Sequence, residues 1–166
     1  IVKPTLEILA GIPSVVYGFF AFIYIGPLVV EFGEYAFANG WIDEPPNVLN
    51  PINGAIVVGV MILPLIASMS EDALRAVPNE LREGSLALGA TKIETTMKVM
   101  IQASLSGIVA SIILALSRAV GETMAVTLAV GTVAVYTSNM FLPAQTMTAY
   151  IAQRVGGDLP FGEIGY

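Results

Sequence analysis

The sequence has 166 residues, 55% of them hydrophobic and only 12% charged, with a net charge of −6 and a mean hydropathy of +0.78. Soluble domains carry about twice that share of charge, so the composition reads as a membrane protein, and the seven Lys and Arg residues are too few for a nucleic-acid footprint. Cys and His are both absent, which excludes disulfides, thiol catalysis, Cys/His metal sites and imidazole acid–base chemistry.

The chain opens on Ile1 rather than Met, close to an apolar segment, and reads as a piece of a longer protein. Residues 6–30 form the first apolar segment, with Glu7 its only charge. That is longer than the roughly 20 residues needed to cross a bilayer core. Gly11, Pro13, Gly18, Gly26 and Pro27 interrupt it, and Pro13 predicts a helix start or bend near residues 11–14. A kinked packing helix with glycines at its contacts is the plainer reading; direct substrate contact by Ser14 or Tyr17 is the other. Residues 31–51 read as a loop with four acids, no Lys or Arg, and Tyr35, Phe37 and Trp41 suited to the membrane–water interface. Residues 52–69 form a second apolar segment without a charge, in which Pro64 predicts a bend.

Residues 70–98 carry Arg75, Arg82, Lys92 and Lys98, four of the seven bases. Bases in short loops stay on the cytoplasmic side. This loop is therefore placed inside and residues 31–51 outside. Within it, Pro78 opens a helix over 79–88 and Gly89 stops it. Thr91 and Glu94 have the spacing of a capping box that starts the next helix. Such a bend presents a short helix to the cytoplasm; an ordinary connector is the bland alternative.

Residues 99–135 are almost wholly apolar, with only Arg118 and Glu122 charged. The third span is expected near 99–131, and residues 132–166 as an external tail. Taken as one helix, Ser104, Gly107, Ser111, Ala115, Arg118, Glu122, Ala125 and Ala129 line a single stripe of small and polar residues. An ion at the bilayer centre costs about 2.5–3.5 kcal/mol on insertion scales. Two of them one turn apart need either each other, as a self-neutralising pair that pins a bundle, or a function, as a polar pathway with a fixed cation.

The string Glu83-Gly84-Ser85-Leu86-Ala87-Leu88-Gly89 resembles the EAA loop of ABC importer permeases, whose coupling helix docks into a cleft of the ATPase. The family commonly continues Ile-x-Leu-Pro; here Val99-Met100-Ile101-Gln102 stands, with Gln in place of Pro, and Gly84 replaces the usual Ala. Two further strings, Leu9-Ala10-Gly11-Ile12-Pro13-Ser14-Val15-Val16-Tyr17-Gly18 and Arg118-Ala119-Val120-Gly121-Glu122-Thr123-Met124-Ala125-Val126, look like the phosphate-specific (Pst) importer permeases, the second more like the C-type subunit than its A-type partner. The resemblance runs over nearly the whole chain and implies an all-α, polytopic transmembrane helix bundle. It also implies six spans in the complete subunit, of which this chain holds three plus the cytoplasmic coupling helix.

By that resemblance the chain is a multi-pass plasma (inner) membrane component, not an enzyme and without cofactor or metal. It forms the path for inorganic phosphate together with a second, A-type permease subunit. ATPase subunits and an external phosphate-binding protein complete the importer, all set in membrane lipid. Glu83, Gly84, Ser85 and Gly89 would couple to the ATPase; Arg118, Glu122 and Thr123 would line the substrate path. A guanidinium fork suits phosphate oxygens. Glu122 would hold Arg118 between passages, be protonated, or accept a hydrogen bond from monohydrogen phosphate. No Gly-x-x-x-x-Gly-Lys-Ser/Thr string occurs, so ATP falls to a partner chain. An importer of another oxyanion (molybdate, tungstate, sulfate) and a non-transporting scaffold subunit are the competing readings.

Overall fold

The computed structural model describes residues 2–134 and 138–156, and the elements within them are all helical. Seven helical elements are α1 (Val2–Ala10), α2 (Ser14–Ala38), α3 (Pro51–Arg75), α4 (Asn79–Ala87), α5 (Lys92–Gly121), α6 (Met124–Val130) and α7 (Met147–Gly156). α2, α3 and α5 are each long and apolar enough to cross a membrane. The expected tail beyond residue 156 and residues 135–137 lie outside the described residues.

The first apolar segment breaks where Pro13 predicts. α1 ends at Ala10, Pro13 has an extended backbone (φ −57°, ψ 135°), and α2 begins at Ser14. α2 then passes through a π-helical turn at Ala21–Ile25, directly ahead of Pro27. Pro27 has no N–H to return to the preceding turn, and a widened turn accommodates the loss. The helix runs on through Ala38, into the stretch read as loop, because nothing interrupts it before Asn39-Gly40. There Gly40 takes φ +73°, and the amides of Gly40 and Trp41 return to the carbonyls of Phe37 and Ala36 at 3.0 and 2.9 Å. This is the hydrogen-bond pair of a Schellman stop. Glu31 and Glu34 therefore ride on a helix rather than a loop.

The third apolar stretch also differs from expectation. It is not one helix: α5 ends at Gly121 and α6 starts afresh at Met124, with Glu122 and Thr123 non-helical between them. The small-residue stripe is nonetheless a packing face, with Ser104, Ser111 and Ala115 buried on α5 and Ala125 and Ala129 buried on α6.

The chain forms two compact units. One comprises Ile1–Gly11 and Ile62–Val120. In it Ser70 and Ser111 hydroxyls meet at 2.9 Å, Lys3 pairs with Asp72, and a Cβ on Gly107 would lie 2.6 Å from the Ala73 methyl. The other comprises Ile12–Met61 and Gly121–Tyr166, with a core of Ala21, Val57 and Ala129 flanked by Tyr17, Ile25 and Val58. Here α2 and α6 cross at Gly18, where a Cβ would stand 2.9 Å from the Ala125 Cα. Small residues let membrane helices approach this closely and replace the hydrophobic drive that lipid does not supply.

Candidate functional site

The helix–Gly–helix loop that the resemblance names for coupling is built from local backbone rules. α4 starts behind Pro78, whose extended backbone (ψ 138°) cannot belong to the helix, and Glu80 occupies its first turn, where the macrodipole favours an acid. Its C-terminus is a full Schellman motif: Gly89 lies at φ +87°, the Gly89 amide donates to the Leu86 carbonyl at 3.0 Å, and the Ala90 amide to the Ser85 carbonyl at 3.2 Å. The next helix is opened by the predicted capping box. The Glu94 amide donates to Thr91 Oγ1 at 3.3 Å, while Glu94 Oε2 accepts from the Thr91 amide at 3.0 Å.

The four coupling-loop residues named from sequence separate by exposure. Glu83 and Gly84 are exposed, and a Cβ added at Gly84 would meet nothing within 4 Å. Ser85 is half-buried and its hydroxyl lies 3.0 Å from that of Thr95, tying α4 to the base of α5. Gly89 supplies the turn. Around them Leu81, Leu88, Ile93 and Met97 stay exposed, Leu88 at 91%. Charged and apolar side chains thus share a small helical surface with no cover of its own, the kind of surface that takes a partner.

The residues named for the substrate path lie at the end of α5 and the break that follows. Arg118 sits in the last turn of α5 and is exposed. Among the described residues the ion pairs are Lys3–Asp72 and Arg75–Glu71. Glu122 is used differently from a counter-ion: its Oε1 accepts from the Ala125 amide at 3.1 Å, so the carboxylate caps the first turn of α6. Its carbonyl accepts from Thr148 Oγ1 on α7 at 3.1 Å. Thr123 turns its hydroxyl back to the Gly121 carbonyl at 3.3 Å, and Thr127 does the same to the Thr123 carbonyl at 2.7 Å. Side chains therefore hydrogen-bond to backbone groups on both sides of the break.

A second polar cluster was not singled out from the sequence. Asn50 and Asn53 are completely buried at the start of α3. Asn50 is the N-cap, its Oδ1 accepting from the Asn53 amide at 2.8 Å, with Pro51 at the first helical position. The Asn50 amide and Asn53 Nδ2 both donate to the Ala129 carbonyl, at 3.2 and 3.4 Å, and so finish the last turn of α6. The Asn50-Pro51 pair was the available signal, since Asn before Pro is a helix-start signature.

The pattern of three membrane-length helices, an exposed helix–Gly–helix loop and a capped break in the third span corresponds to a known class. The family model for the binding-protein-dependent transport system inner membrane component matches residues 1–155. This chain belongs to that family. The permease component is similar, at 36% identity over 94% of its length and 47% of the relative's, to the Probable ABC transporter permease protein YqgH of Bacillus subtilis. It is 35% identical over 89% of its length and 48% of the relative's to the phosphate transport system permease protein PstC of Mesorhizobium japonicum. The phosphate transport system permease protein PstC 1 of Mycobacterium tuberculosis is 36% identical over 90% of the chain and 47% of its own length. The chain thus spans about half the length of the curated relatives it matches. No solved structure matches. As a member of this family the chain is an inner-membrane, multi-pass, all-α transport component.

Proposed function

We propose that this chain is part of the permease subunit of an ATP-driven importer of inorganic phosphate. The observation that carries the reading is the capped break at Gly121-Glu122-Thr123, which follows Arg118 by one turn in a chain whose relatives are named phosphate transport permeases. An exposed guanidinium at the end of a long apolar helix is costly without an anionic partner, and its fork matches phosphate oxygens two at a time. Glu122 is not the counter-ion in this reading. Its Oε1 accepts from the Ala125 amide, and among the described residues it forms no ion pair with Arg118, whose guanidinium is then open to a passing anion.

Glu83, Gly84, Ser85 and Gly89 form the cytoplasmic contact for an ATPase subunit. The exposed Glu83 and Leu88 meet the partner, while the Ser85–Thr95 hydroxyl pair carries movement of α4 into α5. An A-type permease subunit, an external phosphate-binding protein and membrane lipid complete the assembly. ATP hydrolysis belongs to the partner.

Uptake of radiolabelled phosphate into vesicles carrying the full-length permease with its partner subunits tests this. Arg118→Gln is expected to abolish ATP-dependent uptake with assembly intact. Unchanged uptake in the variant would return Arg118 to bundle structure. Absence of phosphate uptake in the unmodified transporter, with uptake of molybdate, tungstate or sulfate, would move the substrate to another oxyanion.

A further inference from the structure

The corner between α4 and the base of α5 holds a recess of about 40 Å³, lined by Arg82, Leu86, Lys92, Thr95 and Thr96. One water needs about 10–15 Å³ of such space, so the recess takes a group of a few heavy atoms. All five residues belong to the unit that comprises Ile1–Gly11 and Ile62–Val120.

Its charge is one-sided. Arg82 and Lys92 are both exposed, and neither enters the ion pairs found among the described residues, Lys3–Asp72 and Arg75–Glu71. No acid is among the lining residues. The acids close by in sequence are engaged or turned away. Glu94 accepts from the amide and the hydroxyl of Thr91. Glu83 follows Arg82 by one residue and so lies about 100° round α4 from it.

The hydroxyls supply a second, independent sign. Thr95 is 2% exposed, and its Oγ1 lies 3.0 Å from Ser85 Oγ. Two hydroxyls hold two protons, and the bond between them uses only one. The remaining O–H has no acceptor among the described residues, and a buried donor left so is costly. Thr96 leaves no such surplus, since its hydroxyl donates to the Lys92 carbonyl at 2.9 Å. From Thr95 to Met100 the helix also widens to π geometry, a departure that recurs at functional sites.

We propose that the recess is a binding site for a phosphate group. Arg82 offers a guanidinium fork to two oxygens, Lys92 a point charge, and Thr95 its hydroxyl. An anion there sets the hydroxyl order: Ser85 donates to Thr95, and Thr95 donates to the anion. Donors from three residues around one recess suit a tetrahedral oxyanion better than the two oxygens of a carboxylate. Two sources share this chemistry, free inorganic phosphate and the headgroup of an anionic lipid. Lys92 opens a helix long enough to cross a membrane, and bases near a membrane surface attract anionic lipid. The site goes beyond the importer reading and does not rest on it.

The test reads hydrogen–deuterium exchange over residues 79–98 in the full-length permease, assembled with its partner subunits in nanodiscs. If the source is free phosphate, inorganic phosphate slows exchange there several-fold in phosphatidylcholine, against sodium chloride of equal ionic strength. If the source is lipid, phosphatidylglycerol does so with no phosphate added. Arg82→Gln combined with Lys92→Gln is expected to abolish the protection in whichever arm shows it. Thr95→Val should raise the phosphate or phosphatidylglycerol concentration required about tenfold, while Thr95→Ser retains it. Lys98→Gln, which removes a base of the same loop outside the recess, should change nothing. Protection in neither arm, or equal loss with Lys98→Gln, overturns the site. In phosphatidylcholine without phosphate, protection that needs the ATPase and is lost in the double variant would seat a carboxylate of that partner in the recess. That outcome overturns the phosphate assignment. Exchange is read without transport, so failed phosphate uptake overturns the importer reading alone.

Discussion

Glu122 is the residue whose chemistry changes most between its setting in the sequence and its setting in the structure. A carboxylate one turn after an arginine invites an ion pair, yet the Oε1 atom is committed to the Ala125 amide. A cap needs an acceptor, not a charge. Glu122→Gln keeps an acceptor oxygen and is expected to leave uptake and thermal stability of the assembled permease close to unmodified. Glu122→Ala removes the cap and should cost about 1 kcal/mol of stability, read as a lowered melting temperature in detergent; equal loss in both variants would instead make the charge essential. Gly89 is decided by backbone alone. At φ +87° an added Cβ carries a penalty of about 1–2 kcal/mol, so Gly89→Ala should loosen the turn and lower ATP-driven uptake. Gly84→Ala, in open space on a helix, is expected to be neutral or slightly stabilising by the same assay.

At the scale of elements, the helices are held by small residues and hydroxyls rather than by large apolar side chains, many of which face outward. That is the expected economy where the solvent is itself hydrocarbon. The α2–α6 crossing depends on Gly18, so Gly18→Leu must drive the helices apart. It is expected to destabilise by about 1–3 kcal/mol, the usual cost of overpacking, measured as faster proteolysis of the assembled permease. Lys3 ties α1 to α3 through Asp72. That hydrogen bond and the nearby carboxylates hold its ammonium protonated above the ordinary lysine range. A raised folded pKa contributes below the unfolded value and is lost as the pH climbs through the folded one. The tie should therefore be insensitive to pH across the neutral range and weaken only above about pH 10. Melting temperature against pH checks this, with Lys3→Met removing the alkaline component.

On the scale of the whole molecule, the importer reading asks one part of the chain to answer to ATP and another to an anion. The importer reading makes Glu83 a contact point, so Glu83→Arg is expected to abolish stimulation of ATP hydrolysis by substrate while leaving the helices formed. A scaffold subunit would show hydrolysis untouched by the same change.

Much of this was legible in the residues. Apolar length and the low share of charge pointed to an all-α chain with three membrane-length helices, because lipid leaves backbone polar groups to be satisfied within each helix. Pro13, Pro78, Gly89 and the Thr91–Glu94 box marked their helix ends for a similar reason: caps and stops are local. Tertiary structure alone decided that residues 99–131 break at Glu122–Thr123, that Glu122 faces an amide rather than Arg118, and that Asn50 and Asn53 close the end of α6. Each of those depends on partners distant in sequence, such as Thr148 on the Glu122 carbonyl and Ala129 beneath Asn53. A helical stripe records which side chains share a face, but the packing of other helices against it determines where the backbone leaves the helix.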